Sequence, residues 1–149
     1  MTRRETVEEK LVMGLLRAIA WPFKTLFGSI SPSKSTNRSS LDYQFVASSW
    51  NDIEQLMQLS GSAHFHQAVT KADTLFDFVL KSVVSGGATM GERLKLAEGK
   101  MSKPAYNQVW EAHKLRNRLV HEADAEVMVW EAKQAIQSFK NGLIELKAL

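Results

Sequence analysis

The fold is decided by residues 102–146, which read SKPAYNQVWEAHKLRNRLVHEADAEVMVWEAKQAIQSFKNGLIEL. Apolar residues in the second half recur at alternating spacings of three and four, the period of one helix face. They are Val129, Ala132, Ile136, Phe139, Leu143 and Leu146. A helix that starts near Ser102 is also indicated for the first half, because Pro104 is tolerated in the first turn and no glycine occurs before about His121. The short connection, with Asp124 as the predicted cap of the second helix, predicts antiparallel packing of the pair.

Helical periodicity continues on the N-terminal side of this pair. The pattern predicts a helix over about 43–59, a second from an N-cap at Ser62 to the pair Gly86-Gly87, and a short third over about 90–99. None of these segments shows the strict alternation of apolar and polar residues that indicates a half-buried strand. The sequence therefore predicts an all-α fold, an up-and-down bundle of four to five helices over residues 43–149.

A serine-rich stretch precedes the predicted bundle. Half of residues 29–40 are serine, and Ile30 is their single large apolar residue. Such a segment buries too little apolar surface to offset the entropy lost on ordering. We interpret residues 29–42 as a linker.

Residues 1–28 are predicted to form an amphipathic helix. The run from Leu11 to Phe27 is largely apolar, but it is shorter than the roughly 20 residues of a spanning helix and is interrupted by a proline and by Arg17 and Lys24. It also lacks the small-residue cleavage pattern of a secretory signal. Two interpretations stay open for residues 5–27: peripheral binding to a membrane surface, or docking on protein.

Composition and charge narrow the classes of function. Hydrophobic residues make up 44% of the 149 residues and charged residues 23%, as in ordinary globular proteins. The absence of cysteine excludes disulfides, a thiolate nucleophile and Cys-ligated zinc, and it suits a cytoplasmic location, at most peripheral to the inner face of the membrane. Residues 1–45 hold seven of the 19 basic and four of the 16 acidic residues, which accounts for the net charge of +3 and leaves the bundle neutral. A basic stripe for bulk attraction of nucleic acid is therefore not expected, and any RNA contact would be local.

Residues 110–122, WEAHKLRNRLVHE, concentrate two histidines, an asparagine and three cations on one predicted helix. Asn117 and His121 are four residues apart and share a face, and His113 lies one turn earlier in the same column. Arg116 lies about 140° from His121 on an ideal helix. The two side chains would converge only if the helix bends or frays near His121, or if two chains pair across this face.

This segment resembles the signature of HEPN domains, an arginine, four intervening residues and a histidine. Here it is Arg116-Asn117-x-x-x-His121, with the asparagine that commonly follows the arginine. The resemblance extends over about residues 50–149 and includes Lys71-Ala72-Asp73 and Gly91-Glu92-Arg93-Leu94 ahead of the motif helix. It implies a helical bundle that forms a homodimer, with the two motif helices facing each other across the dimer axis.

The resemblance also implies an activity, because many HEPN proteins are metal-independent endoribonucleases. His121 would act as the general base toward the ribose 2′-hydroxyl or as the acid toward the leaving oxygen. Arg116 would stabilise the phosphorane-like transition state, and Asn117 would orient the histidine or the phosphate. RNA-binding contacts would come from His113, Lys114 and Arg118. The products would carry a 2′,3′-cyclic phosphate and a 5′-hydroxyl, and neither metal nor cofactor is expected.

A second interpretation, from a different class, is a non-catalytic dimeric binding or scaffold module. Arg116 and Asn117 would then only bridge neighbouring groups near the end of their helix, where a cation is favourable. Ala123 stands where some HEPN toxins carry a tyrosine that a partner nucleotidyltransferase modifies, so that regulation is not expected. His64 and His66 diverge by about 200° on a helix and lack further ligands, so they are not expected to bind a metal.

Overall fold

The computed structural model describes residues 41–122 and 124–149. The predicted amphipathic helix over 1–28 lies outside them, as do Ala123 and most of the predicted linker. The described residues form five α-helices and no strand: α1 Tyr43–Gln58, α2 Ser62–Val83, α3 Met90–Leu96, α4 Lys103–His121 and α5 Val129–Glu145, with one 3-10 turn at Glu98–Lys100. The predicted all-α helical bundle is confirmed. None of these helices has the length and apolar character needed to cross a bilayer.

The central helix of the bundle is α2, which packs against each of the other four helices. Its buried apolar residues recur at spacings of three and four, and burying such side chains is the main favourable term in folding. They are Ala68, Val69, Ala72, Leu75, Phe76, Val79 and Leu80. On the α5 side, the ring of Phe76 lies against that of Phe139, with their centroids 5.6 Å apart. The core is therefore organised around α2.

Contacts at both ends make α4 and α5 antiparallel, as the short connection predicts. Ser102, the N-cap of α4, donates from its backbone N–H and its hydroxyl to Glu145, the last residue of α5. At the opposite end, Arg118 donates to Glu131 in the first turn of α5, over 2.7 Å. The predicted start of α4 near Ser102 is also confirmed, since Lys103 is the first helical residue and the hydroxyl of Ser102 accepts the backbone N–H of Ala105 as its N-cap.

Gly142 lies where α2, α4 and α5 come closest together. A Cβ atom at this position would lie 2.7 Å from Cε2 of Phe76 and 2.8 Å from Cγ2 of Val109. Both distances are shorter than packed carbon atoms allow. The residue therefore has to be glycine for the three helices to approach this closely.

The predicted N-cap of α2 is wrong by one residue. Ser62 is the first helical residue, and the cap position belongs to Gly61, which makes no side-chain cap hydrogen bond. The backbone φ of Gly61 is +111°, a value that side chains other than hydrogen rarely tolerate. The chain therefore enters α2 through a turn that requires glycine.

The predicted start of α5 is also wrong. Its N-cap is Met128 rather than Asp124. The backbone N–H of Met128 donates to the side chain of Glu131 over 2.9 Å. Val129 was expected on the buried stripe but is 45% exposed, because it lies in the first turn on the side away from the bundle. The other five residues of that stripe are wholly or partly buried.

Candidate functional site

Four polar side chains form a closed network between α2 and α4, here called the polar ring: Asp73, His113, Asn117 and Arg116. Nδ1 of His113 lies 2.6 Å from Oδ1 of Asp73, and its Nε2 lies 3.2 Å from Nδ2 of Asn117. Nη1 of Arg116 donates to Oδ1 of Asn117 over 3.1 Å. The ring closes where Nε of Arg116 lies 3.3 Å from Oδ2 of Asp73.

The polar ring is built from core-facing positions of its two helices. Asp73 follows Val69 by four residues and precedes Phe76 by three, so it belongs to the buried face of α2, and it is 3% exposed. His113 follows Val109 by four on α4 and is 8% exposed. Burying an isolated carboxylate costs several kcal/mol, which is comparable to the net free energy of unfolding of a whole domain. The imidazole and the guanidinium offset that cost for Asp73.

The hydrogen-bond pattern assigns the protons within the polar ring. Arg116 can only donate, so the atom of Asn117 that faces it is the acceptor Oδ1, and the amide nitrogen donates to Nε2 of His113. His113 then accepts at Nε2 and donates from Nδ1 to Asp73. Each assigned bond has one donor and one acceptor.

Arg116 keeps donor capacity that the polar ring does not use. Its Nε is buried, and the 3.3 Å contact with Asp73 is an attraction between charges that lacks the alignment of a hydrogen bond. Within residues 41–122 and 124–149, Nη2 of Arg116 has no hydrogen-bond partner either. The side chain is 18% exposed, so the guanidinium reaches the surface. A phosphate oxygen or a water would find unsatisfied N–H groups there.

His121 stands apart from the polar ring. It is the last residue of α4, it is exposed, and the helix continues to it without a break. Because α4 is helical from Arg116 through His121, the two side chains diverge within one chain as they do on an ideal helix. His113, Asn117 and His121 form the predicted column along α4, which passes from buried through half-buried to exposed.

The two exposed cations beside the motif are paired with carboxylates. Lys114 bonds Glu111 on its own helix, and Arg118 bonds Glu131 on α5, each over 2.7 Å. Exposed pairs of this kind contribute at most about 1 kcal/mol, so either cation can exchange its partner for a phosphate at small cost. Of the three residues predicted to contact RNA, these two are accessible, whereas His113 is enclosed by Asp73 and Asn117.

The histidines of α2 have separate roles. Nδ1 of His64 bonds the carbonyl of Ser60, and Nε2 of His66 bonds the carbonyl of Leu119 on α4 over 3.0 Å. In the described part of the chain, no group of three or more His, Asp and Glu side chains is arranged to hold a metal ion. The bond from His66 instead fixes the C-terminal end of α4, where His121 lies, against α2.

A second ion pair, one turn further along α2, fastens α3. Arg93 is 8% exposed and grips Asp77 with two parallel bonds of 2.7 and 2.9 Å, while its Nη1 donates to the carbonyl of Gly87. Burial raises the pKa of Asp77, but hydrogen bonds and charge from Arg93 and Lys81 outweigh it, so this pKa lies below its ordinary value. All three guanidinium nitrogens of Arg93 therefore donate to groups of this chain, which indicates a structural role for the pair.

Asp73 is the member of the site that sequence reasoning did not assign. It appeared only as part of Lys71-Ala72-Asp73, although a carboxylate on the apolar stripe of a helix signals a buried partner. Together the groups offer a fixed guanidinium and an exposed imidazole on one helix, which suits a phosphodiester anion.

Comparison of the chain with protein-family models, curated proteins and solved structures gives no match.

Proposed function

We propose that this chain is a HEPN-like, metal-independent endoribonuclease that acts as a homodimer. The observation that carries the proposal is the arrangement on α4: Arg116 is anchored with unused donors at the surface, and the exposed His121 follows Asn117 by one turn. Support also comes from the position of this motif on the penultimate helix of the bundle, packed antiparallel to a long last helix.

The proposed reaction is an internal transesterification of RNA. His121 takes the proton of a ribose 2′-hydroxyl, the oxygen attacks the adjacent phosphorus, and the bond from phosphorus to the 5′-oxygen breaks. Arg116 stabilises the additional negative charge on the phosphoryl oxygens in the transition state. The departing 5′-oxygen receives a proton from a second histidine, which leaves a 2′,3′-cyclic phosphate and a 5′-hydroxyl.

The homodimer follows from the divergence of Arg116 and His121 within one chain. A second motif helix facing the first would supply a histidine to each arginine, and it would also supply the second histidine that the proton transfers require. Exposed apolar side chains beside the end of α4 favour such an association. These are Met128, Val129 and Trp130, which are 56%, 45% and 64% exposed.

The decisive experiment is cleavage of unstructured RNA by the purified full chain in excess EDTA, with end-group analysis of the products. We expect cyclic-phosphate ends from the wild type and a loss of about 10²- to 10⁴-fold in His121→Ala, the usual contribution of a general base. Gln108→Ala, also exposed on α4, is the matched control and should cleave normally. Undiminished cleavage by His121→Ala would contradict the proposed mechanism.

The alternative function is a non-catalytic dimeric binding module. The observation that favours it is the internal pairing of Arg116 with Asp73, which places a negative charge beside the group that would bind phosphate. Absence of cleavage by a folded dimer, with RNA or protein binding retained in His121→Ala, would select this alternative. A protein that stays monomeric at micromolar concentrations would contradict both versions, since both require two chains.

A further inference from the structure

We infer that Asp73 and His113 are positioning residues, which hold Asn117 and Arg116 so that the Nη2 edge of the guanidinium faces an RNA phosphodiester. This inference rests on the proposed function and assigns roles to two residues outside the Arg116-Asn117-x-x-x-His121 motif. Neither residue is accessible enough to touch RNA, since both are less than a tenth exposed. Their effect would therefore be transmitted through the residues that they bond.

Asp73 determines where the guanidinium lies. An arginine side chain loses rotamer entropy when it is fixed, so an unassisted Arg116 would sample many orientations. The carboxylate of Asp73 attracts its Nε from inside the bundle, and the carboxylate is itself fixed by the 2.6 Å bond from His113. A fixed donor costs no reorganisation when charge develops in the transition state.

His113 holds the amide of Asn117 from the side opposite Arg116. Oδ1 of Asn117 accepts from Arg116, and the amide nitrogen donates to Nε2 of His113. Without that acceptor the amide keeps only its bond to Arg116. The second anchor of the guanidinium is then itself no longer fixed to the bundle by a hydrogen bond.

Three variants separate positioning from packing. Asp73→Asn keeps the volume but exchanges one acceptor for a donor, and His113→Leu removes both ring nitrogens. His113→Gln can still donate to Asp73 and accept from Asn117, so it should restore the pattern. The wild type and all three variants would be measured as full chains for kcat and KM in the EDTA cleavage reaction, with folded fractions determined by urea unfolding.

We expect Asp73→Asn and His113→Leu to lose about 10²-fold in kcat per folded molecule. A misplaced guanidinium of Arg116 would weaken mainly the interaction that forms in the transition state. KM should change little, and His113→Gln should stay within about fivefold of the wild-type kcat. A merely structural role would lower the folded fraction and leave kcat per folded molecule unchanged. A folded Asp73→Asn protein with wild-type kcat would overturn the inference.

Nitrogen NMR of the same proteins keeps the inference separate from the proposed function. In the wild type we expect an imidazole of His113 with its proton on Nδ1, and a slowly exchanging Nε–H of Arg116 that is lost in His113→Leu. If these signals appear but no RNA is cleaved, the proposed function fails while the positioning stands. If His113 carries its proton on Nε2, the positioning itself is wrong.

Discussion

Two carboxylates on α2, one buried and one half-buried, are paired with arginines that come from other helices. Asp73 meets Arg116 of α4, whereas Asp77 meets Arg93 of α3. The geometries differ, because Arg93 makes two aligned bonds to its carboxylate and Arg116 makes none that is aligned. A fully bonded pair such as Arg93 and Asp77 suits a structural role, and the incompletely bonded Arg116 retains donors for a ligand.

Packing leaves no room for a side chain at Gly142. We expect Gly142→Ala to lower the free energy of unfolding by about 1–3 kcal/mol, the usual cost of overpacking, because its methyl group would overlap Phe76 and Val109. Urea denaturation followed by circular dichroism measures this. Neither neighbour can move easily, since both are fully buried.

Gly99 provides the matched control for that substitution. A Cβ atom there would meet nothing within 4 Å, and the residue lies in the exposed 3-10 turn. Gly99→Ala should therefore stay within about 0.5 kcal/mol of the wild type. Equal stability of the two variants would show that the bundle can relax around position 142, which would contradict the close packing of the three helices.

The residues of the site show what a sequence can indicate and what it leaves open. The motif on α4 was indicated by its resemblance to the HEPN signature, and helical spacing alone placed Asn117 and His121 on one face. The link from Asp73 to His113 depends on how α2 and α4 are aligned, and a single sequence carries no information on that alignment. A carboxylate within an apolar stripe, such as Asp73, requires a buried hydrogen-bond partner, but the sequence does not say which residue that partner is.

Among the elements, helix ends were harder to predict than helix existence. Predicted and observed bounds of α1 agree within a residue, and α4 begins at Lys103, next to its predicted start near Ser102. The two errors have different causes. At α2 no side chain caps the helix, which begins after Gly61 with its positive φ, whereas at α5 several nearby residues can satisfy the first backbone N–H groups. At α5 the competitor is Glu131, whose side chain reaches back to Met128 and leaves no role for Asp124.

The short helix α3 depends most on its cap. Its seven residues are too few to be stable alone, and a capping box is formed in which Thr89 accepts from the backbone N–H of Glu92 while the Glu92 side chain accepts from that of Thr89. We expect Thr89→Ala to cost about 1 kcal/mol in urea unfolding. Ser85→Ala, exposed and outside any helix, should be neutral by comparison. An equal effect of the two would mean that tertiary packing alone holds α3.

Across the whole molecule, carboxylates join elements that are distant in the sequence. Glu54 of α1 bonds Lys140 of α5, and Glu145 of α5 bonds Ser102 ahead of α4. Hydrogen bonds from these partners lower the pKa of both carboxyl groups, and a backbone N–H does the same for Glu92 and Glu131. Together with Asp77, these side chains make the bundle sensitive to acid.

The direction of that sensitivity follows from the shifts. Each of these carboxyl groups has a lower pKa in the folded chain than its ordinary value of 3.8 or 4.5, so the unfolded chain binds protons first as the pH falls. Their contribution to stability is complete above about pH 4.5 and is lost as the pH passes through the folded pKa values. We therefore expect a lower free energy of unfolding in urea at pH 3 than at pH 7. Urea is preferred to guanidinium because its solutions do not screen charge.

Asp77→Asn tests whether the named groups cause this dependence. Its amide cannot titrate, so the variant should be less stable than the wild type at pH 7. The difference should narrow at pH 3, which lies below the ordinary pKa of 3.8 at which the unfolded wild type takes up a proton on Asp77. Asp52→Asn, an exposed carboxylate on α1, is the matched control and should follow the wild type at both values. A constant difference between Asp77→Asn and the wild type from pH 7 to pH 3 would mean that the carboxylate acts through its shape and hydrogen bonds rather than through its charge.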